Sequence, residues 1–481
     1  MKKIFIIGSG FSSISASTYL AKKGYNVTVF EKNSTVGGRA RQFKKHGFTF
    51  DIGPSWYWMP DVFESYFKDF GKKVSDYYNL EKLNPAYEVY FNTLDSIKIG
   101  DSLEKICAEF ERVEPGSSIL LKRFMKKAEK HYEIAVKDMV YKPGISPFEL
   151  VNSKTIVRLK YFLSNIKKEV EKDFKNEKLS QILQFPVLFL GAKPSKTPAF
   201  YNFMNHADFG LGTWHPKKGM YSVIEGMKKL AEEMGVTFKT NQSVEKIIVN
   251  RNAACGIVSN GEKKYCDVLV SGADYHHTES LLEEKFRSYD NSYWESKVFA
   301  PSSLLFFVGL DKKIKRVSHH TLFFDVDFDL HATEIYDNPK WPSNPLFYGN
   351  FPSITDPSMA PAGKEACFFL IPIAPGISDS EKTREKYFGI LINRLEKLTN
   401  QSVKDFVLFK ESFCVKDFEK DYNSYKGNAY GLANTLKQTA FLRPKMISKK
   451  VKNLYFTGQL TVPGPGVPPS IISGKIVSDL I

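Results

Sequence analysis

Short apolar runs interrupted by glycine alternate along this chain with apolar residues at helical spacing. Residues 4–7 form the first run. Gly8-Ser9-Gly10 follows, residues 11–23 read as a helix, and after Gly24 a second run at 27–30 ends at Glu31. Strand, glycine turn, helix, strand, acid is the order of a dinucleotide-binding βαβ unit. Residues 48–52 alternate as a strand up to Gly53-Pro54, where the chain turns into the aromatic run Trp56-Tyr57-Trp58. Residues 87–91 and 97–99 read as short strands, and 102–110 and 119–140 as helices. Between 152 and 183, Ile156, Leu159, Leu163, Ile166 and Val170 recur every three or four residues. Lys154, Arg158, Lys160, Lys167, Lys168 and Lys172 occupy the other faces. Two arrangements share that pattern: a basic amphipathic helix lying in a membrane interface, and a helix whose apolar face caps a neighbouring domain. Strands are expected at 236–239, 244–249 and 268–270, then at 303–310, 321–326 and 366–373, with a helix over 380–398. A last strand ends at Gly458, and a last helix covers 471–480.

The glycines explain the chemistry of the first unit. Gly8 permits a tight turn and Gly10 a close approach of backbone to a pyrophosphate. The helix that begins at Phe11, with Ser12 and Ser13 in its first turn, offers free N–H groups and a positive dipole end to that anion. Glu31, followed by Lys32, stands where a carboxylate accepts hydrogen bonds from ribose hydroxyls, and its charge disfavours a 2′-phosphate. Ser13 takes the place of the usual third glycine, which ordinarily allows the helix to pack closely on the strand.

Composition narrows the class. The chain has 481 residues, too many for one core, so two or three domains are expected. Its net charge of +15 favours an anionic partner. No nucleic-acid motif accompanies that charge, so an anionic membrane surface is the expected partner and nucleic acid is not. The five cysteines are scattered without a CxxC pair, which reads as reduced cytosolic thiols and no metal. The first apolar run is too short for a signal peptide, and no stretch of 18 apolar residues exists to span a membrane. A cytoplasmic, peripherally membrane-associated protein is expected.

Val36-Gly37-Gly38-Arg39-Ala40 is similar to the second glycine signature of the glutathione-reductase-like flavoproteins. That resemblance implies FAD, with Gly38 near the cofactor and Arg39 as a cation by its phosphates. Three further blocks resemble bacterial-type phytoene desaturases: FDIGPSWYWMPDVFE from Phe50, GTWHP from Gly212, and YFTGQLTVPGPGVPPSIISGK from Tyr455. The resemblance spans essentially the whole chain. It implies an α/β fold with a glutathione-reductase-like FAD-binding Rossmann domain, an interleaved α+β substrate domain and a helical cap at the membrane. The corresponding segments are 1–84, 220–292 and 437–481 for FAD; 85–115, 191–219 and 293–436 for substrate; and 116–190 for the cap. It places Gly53, Pro54 and Ser55 against the flavin, Val244 at the adenine, and Gly272 and Asp274 near the pyrophosphate. Gly458, Gln459, Gly466, Val467 and Pro468 complete the cofactor site. Gln459 replaces the acid common in related flavoproteins, so the ribityl contact must be made differently.

The implied reaction is dehydrogenation of phytoene towards neurosporene or lycopene. Trp56, Tyr57, Trp58, Phe209, Leu211 and Trp214 are the expected lining of a hydrocarbon site. Hydride would pass to the flavin, and His206, Asp208 and His215 are the polar residues considered for proton handling. With no second nucleotide turn, quinone or oxygen is the expected electron acceptor. C30 diapophytoene desaturases, later-pathway carotenoid dehydrogenases and carotene isomerases share these blocks. Amine oxidases share the implied fold, as do the lipid-binding GDP-dissociation inhibitors, which do no flavin chemistry.

Overall fold

A computed structural model describes residues 1–150, 159–435 and 437–481. The expected βαβ unit forms: strand Lys3–Ile7, helix Phe11–Lys22, strand Asn26–Phe30. These strands sit in a five-stranded parallel sheet in the order Leu454–Phe456, Val268–Ser271, Lys3–Ile7, Asn26–Phe30, Thr237–Lys239. The central strands are buried on both sides, as a parallel sheet covered by helices must be. On one face, helix Phe11–Lys22 is clasped by the last helix, Val467–Asp479, and by helix Tyr221–Glu233. The clasp is backbone against backbone. A Cβ on Gly474 would stand 2.4 Å from the Ser12 carbonyl oxygen, so only glycine fits there. A three-stranded antiparallel sheet, Val244–Asn250, Ala253–Ser259 and Glu262–Tyr265, lies on the other side of the nucleotide domain.

The second domain is a seven-stranded sheet. Its order is Val407–Phe413, Ser302–Leu310, Glu365–Ile373, Phe347–Asn350, His320–Phe323, Tyr87–Asn92, Asp95–Ile99. Only the pairing of His320–Phe323 with Tyr87–Asn92 is parallel. Strand Ser302–Leu310 shows how the pleat assigns its two faces. Leu304, Phe306 and Val308 pack outward with Tyr387, Leu391 and Leu395 of helix Glu381–Thr399. Leu305 and Phe307 point inward to the core shared with the nucleotide domain.

The helical segment departs from the expected single run over 152–183. Its described part is three short helices, Leu159–Leu163, Ile166–Asp173 and Glu177–Gln184. Asn165 and Asn176 interrupt it, because each side-chain oxygen accepts from a backbone N–H of the next helix and starts that helix afresh. Ile166 and Val170 are fully buried, and Lys167 pairs with Asp329 at 2.6 Å. Helix Ile166–Asp173 therefore spends its apolar face on the protein and not on a lipid interface. Lys154, Ile156 and Arg158 lie outside the described residues. Among the described residues, no helix is long and apolar enough to cross a membrane.

Candidate active site

One cavity of about 740 Å³ runs from the glycine turn of the first sheet to the face of the second. Its inner end is backbone. Gly8 takes φ +83°, and a Cβ there would stand only 3.2 Å from the Ala273 nitrogen. Around Gly10 a Cβ would meet nothing within 4 Å, so the space before the helix is open to an anion. The helix starts at Gly10 with no side-chain cap, leaving its first N–H groups to a ligand. Gly38 presses on Gly10, where a Cβ would come within 3.1 Å of its Cα. Glu31 lines the cavity and is oriented by Ser9, whose backbone N–H and hydroxyl donate to it at 3.0 and 2.7 Å, and by the Asn33 N–H at 2.9 Å.

Arg39 and Asp274 face each other in the same wall. Burial lowers the pKa of Arg39, opposed by the nearby Asp274 carboxylate and Tyr422. Its Nη2 donates to Ser424 Oγ at 2.8 Å, whereas its buried Nε has no partner. An uncapped helix end, a glycine cradle and a buried guanidinium with a spare N–H fit a dinucleotide bearing a pyrophosphate.

Gly8, Gly10, Phe11, Ser12, Glu31, Lys32, Gly38, Arg39, Val244, Gly272 and Asp274 all line this end. Gly53, Pro54, Ser55, Gly458, Gln459, Gly466, Val467 and Pro468 line the middle, where the two domains meet. Ser13 does not reach the wall. It is fully buried behind it, against Gly272, and a Cβ on Gly272 would sit 2.0 Å from the Ser13 hydroxyl oxygen.

The outer end is apolar. Trp56 and Trp58 line it as expected. Tyr57 does not: in a strand-like segment it points the opposite way, stacked on Phe63 at 4.2 Å with its hydroxyl on that of Tyr78. Phe209, Leu211 and Trp214 also lie off the cavity wall. Phe209 packs into the neighbouring core with Phe110, and the Trp214 indole is tied to the Leu211 carbonyl. Their places are taken by residues that sequence reading did not single out. Met139 and Val140 come from the π-helical turn Ala135–Met139 and its cap, which continue helix Ser117–Ile134, and Phe328 and Ile335 from helix Phe328–Tyr336. Leu322, Tyr348 and Leu370 come from the seven-stranded sheet. These strands are buried on both faces, so no alternation marks the side that meets the cavity.

None of the three polar residues considered for proton handling lines the cavity. His206 packs beside the Tyr132 ring, and burial lowers its pKa. Asp208 is buried with its Oδ2 accepting from the Tyr87 hydroxyl at 2.8 Å, and burial holds its carboxyl well above the usual range. His215 sits 3.4 Å from Asp356, 4.6 Å ring to ring from His319. That histidine leads to the cavity indirectly, through His319 and then His320, whose rings are 4.5 Å apart. His320 stacks flat behind Trp56 at 4.1 Å and 11°. Its Nδ1 lies 2.6 Å from the Tyr348 hydroxyl, which is in turn 2.9 Å from Ser55 Oγ. Burial holds His320 well below the ordinary histidine range, so it is neutral. The sequence signal was a pair of histidines entering an otherwise apolar strand. His331 also reaches the cavity, but its Nδ1 accepts from Leu346 N–H and its Nε2 faces the Pro372 carbonyl, leaving no free lone pair. Among the described residues no cluster could hold a metal ion.

Comparison with known proteins agrees with this geometry. Residues 12–481 match the family described as flavin containing amine oxidoreductase. A carotenoid 3,4-desaturase from Haloarcula japonica is 38% identical over 482 residues, covering 99% of this chain and 97% of that protein. A 4,4'-diapophytoene desaturase (4,4'-diaponeurosporene-forming) from Staphylococcus haemolyticus is 32% identical, covering 99% and 98%. Among solved structures, an oxidoreductase from Methanosarcina mazei superposes with a TM-score of 0.64 at 17% identity, covering 99% of this chain and 100% of that one. The chain belongs to the flavin-containing amine oxidoreductase family, as an FAD-dependent oxidoreductase of the carotenoid-desaturase type.

Proposed function

We propose that this enzyme dehydrogenates a linear, carotenoid-type hydrocarbon, adding a double bond next to an existing polyene. The observation that carries this reading is the outer half of the cavity, walled by Trp56, Trp58, Met139, Phe328, Ile335 and Leu370 and continuous with the nucleotide end. Such a wall suits a long apolar chain, and these six residues offer no carboxylate to a charged amine. Bound flavin supplies the hydride acceptor. Loss of hydride beside a polyene leaves an allylic cation, and the faces of Trp56 and Trp58 stabilise passing positive charge. The proton leaves by the hydroxyl pair Ser55–Tyr348. Neutral His320, whose Nδ1 accepts from the Tyr348 hydroxyl, holds that pair in place from behind Trp56.

The first substrate proposed is phytoene. The similarity to a carotenoid 3,4-desaturase favours a second reading, in which an already conjugated carotenoid is desaturated near its end. A diapophytoene is the C30 counterpart. The binding-protein alternative is disfavoured because most of the residues expected at the flavin line one continuous cavity. Quinone or oxygen is the proposed acceptor.

The substrate dissolves only in lipid, and a rim at the cavity mouth suits that source. Glu149 accepts from the N–H groups of Gly144, Ile145 and Ser146, which pins the loop with Ile145 and Phe148 turned outward. Phe148 is 79% exposed, and Leu442 is exposed on the facing segment. We place peripheral membrane contact here. The test of the function is incubation of the FAD-loaded enzyme with phytoene, diapophytoene or lycopene in liposomes. Absorption bands moving to longer wavelength with one of them identify the substrate. Unchanged spectra with all three, in the presence of quinone and oxygen, reject the reading.

A further inference from the structure

Arg443 is a charge without a counter-charge. It is 2% exposed. Nη1 donates to the Gln459 carbonyl at 3.1 Å, and Nη2 to the Leu432 carbonyl at 3.1 Å and to Asn434 Oδ1. Nε has no partner. Each acceptor is neutral, and among the described residues no carboxylate pairs with it. Burial pulls its pKa down to about 10, with Tyr201 and Tyr293 opposing, so it is still a cation at neutral pH. Other part-buried arginines solve the problem in the ordinary way: Arg384 pairs with Asp379 and Asp417, and Arg394 with Asp325. A buried ion satisfied only by neutral groups is costly, and an anion brought close to it would offset that cost.

The place of Arg443 identifies that anion. Asn434, Gln459, Pro463 and Pro465 all line the cavity, and Arg443 lies directly behind them. A Cβ on Gly464, between the two prolines, would stand 3.0 Å from Nη2, so one layer of backbone separates the guanidinium from the cavity. The same loop runs into helix Val467–Asp479, which starts at Gly466 with no side-chain cap. The positive end of that helix and the guanidinium therefore act on one region, the middle of the cavity. The pyrophosphate end has its own cation in Arg39.

We propose that Arg443 is the buried counter-charge for the negative charge that bound flavin takes on when reduced. Accepting a hydride adds two electrons and one proton to a neutral ring, leaving one negative charge in the cavity wall's field. Arg443 acts on it across the 459–464 loop as a positioning and electrostatic residue. The inference needs bound FAD alone and holds whichever hydrocarbon is the substrate.

The test uses the purified FAD-loaded enzyme and two readouts that need no substrate: the two-electron midpoint potential of the flavin, and its affinity for sulfite, which adds to give an anionic adduct. Arg443→Gln should weaken sulfite binding about tenfold or more, and a tenfold preference for the oxidised form corresponds to about 30 mV in the potential. Arg443→Lys should keep most of the wild-type behaviour. Asn434→Asp leaves the arginine in place but gives it a carboxylate, and should copy Arg443→Gln; it carries the test should Arg443→Gln not fold. Unchanged potential and sulfite affinity in the neutralised variants would overturn the proposal. So would a loss of FAD affinity with the potential unmoved, which would assign the charge to the phosphates instead.

Discussion

At the residue scale, the cavity is governed by a few side chains whose direction matters more than their type. Trp56, Tyr57 and Trp58 are consecutive aromatics, yet the extended backbone sends the first and third to the cavity and the second into the core. Sequence alone names the aromatic run but does not say which members face a ligand. The glycine turn was legible for the opposite reason: a backbone turn at φ +83°, as at Gly8, is one that side chains rarely adopt. The polar residues at the cavity were the least legible. His206, Asp208 and His215 stand in a motif-rich block, but the fold turns them away from the cavity; Tyr348, which lines it, and His320, which sits behind Trp56, come from two strands of the seven-stranded sheet. Tyr348→Phe should lower turnover by about 10²-fold, the scale of one general-base contact, while FAD content stays at the wild-type level. Wild-type turnover in that variant would remove Tyr348 from the mechanism. A solvent isotope effect present in the wild type and altered in Tyr348→Phe would separate proton transfer from mere packing.

At the scale of elements, the first helix shows how one departure from a motif is compensated by another. The third glycine of the nucleotide turn is Ser13, and the close approach it should allow is supplied from the partner strand's end by Gly272. Gly272→Ala would place a methyl against the Ser13 hydroxyl and should destabilise the protein by about 1–3 kcal/mol, as overpacking does. Ser13→Gly should restore stability in the double variant, because the clash is between those two side-chain positions. Thermal denaturation of the four proteins checks this. Purely additive losses would mean that Gly272 is needed for its backbone and not for space. The cap helices teach a related lesson. Apolar spacing alone read as one long run over 152–183, whereas the asparagine caps at 165 and 176 decide where helices start. Local side-chain hydrogen bonds outweighed a continuous periodicity.

At the scale of the whole molecule, two domains built from interleaved segments enclose one cavity. The parallel sheet offers backbone N–H groups to a charged cofactor, and the mixed sheet with its helices offers an apolar wall. The first βαβ unit was readable because its glycine turn and flanking apolar runs are local, whereas the order of strands in either sheet is set by long-range pairing that no local pattern marks. The basic stretch expected to lie in a membrane interface does not present the expected apolar face over helix Ile166–Asp173, where Ile166 and Val170 are buried and Lys167 pairs with Asp329. The rim at Ile145 and Phe148 takes its place in the account. Replacing both with Ser should lower partitioning to anionic liposomes several-fold, since each removes part of an apolar contact of roughly 1.5–3 kcal/mol, with FAD content unchanged. Liposome flotation measures this, and equal flotation of variant and wild type would exclude the rim.

In the proposed reaction a hydrocarbon gives up its hydrogens inside this cavity. The most direct measurement is an anaerobic mixing experiment in which the FAD-loaded enzyme meets phytoene, diapophytoene or lycopene in liposomes with no other acceptor present. The account predicts that the flavin absorbance bleaches with at least one of them while a longer polyene appears in equal amount. A flavin that stays oxidised with every linear carotenoid, yet bleaches with a simple primary amine, would contradict it.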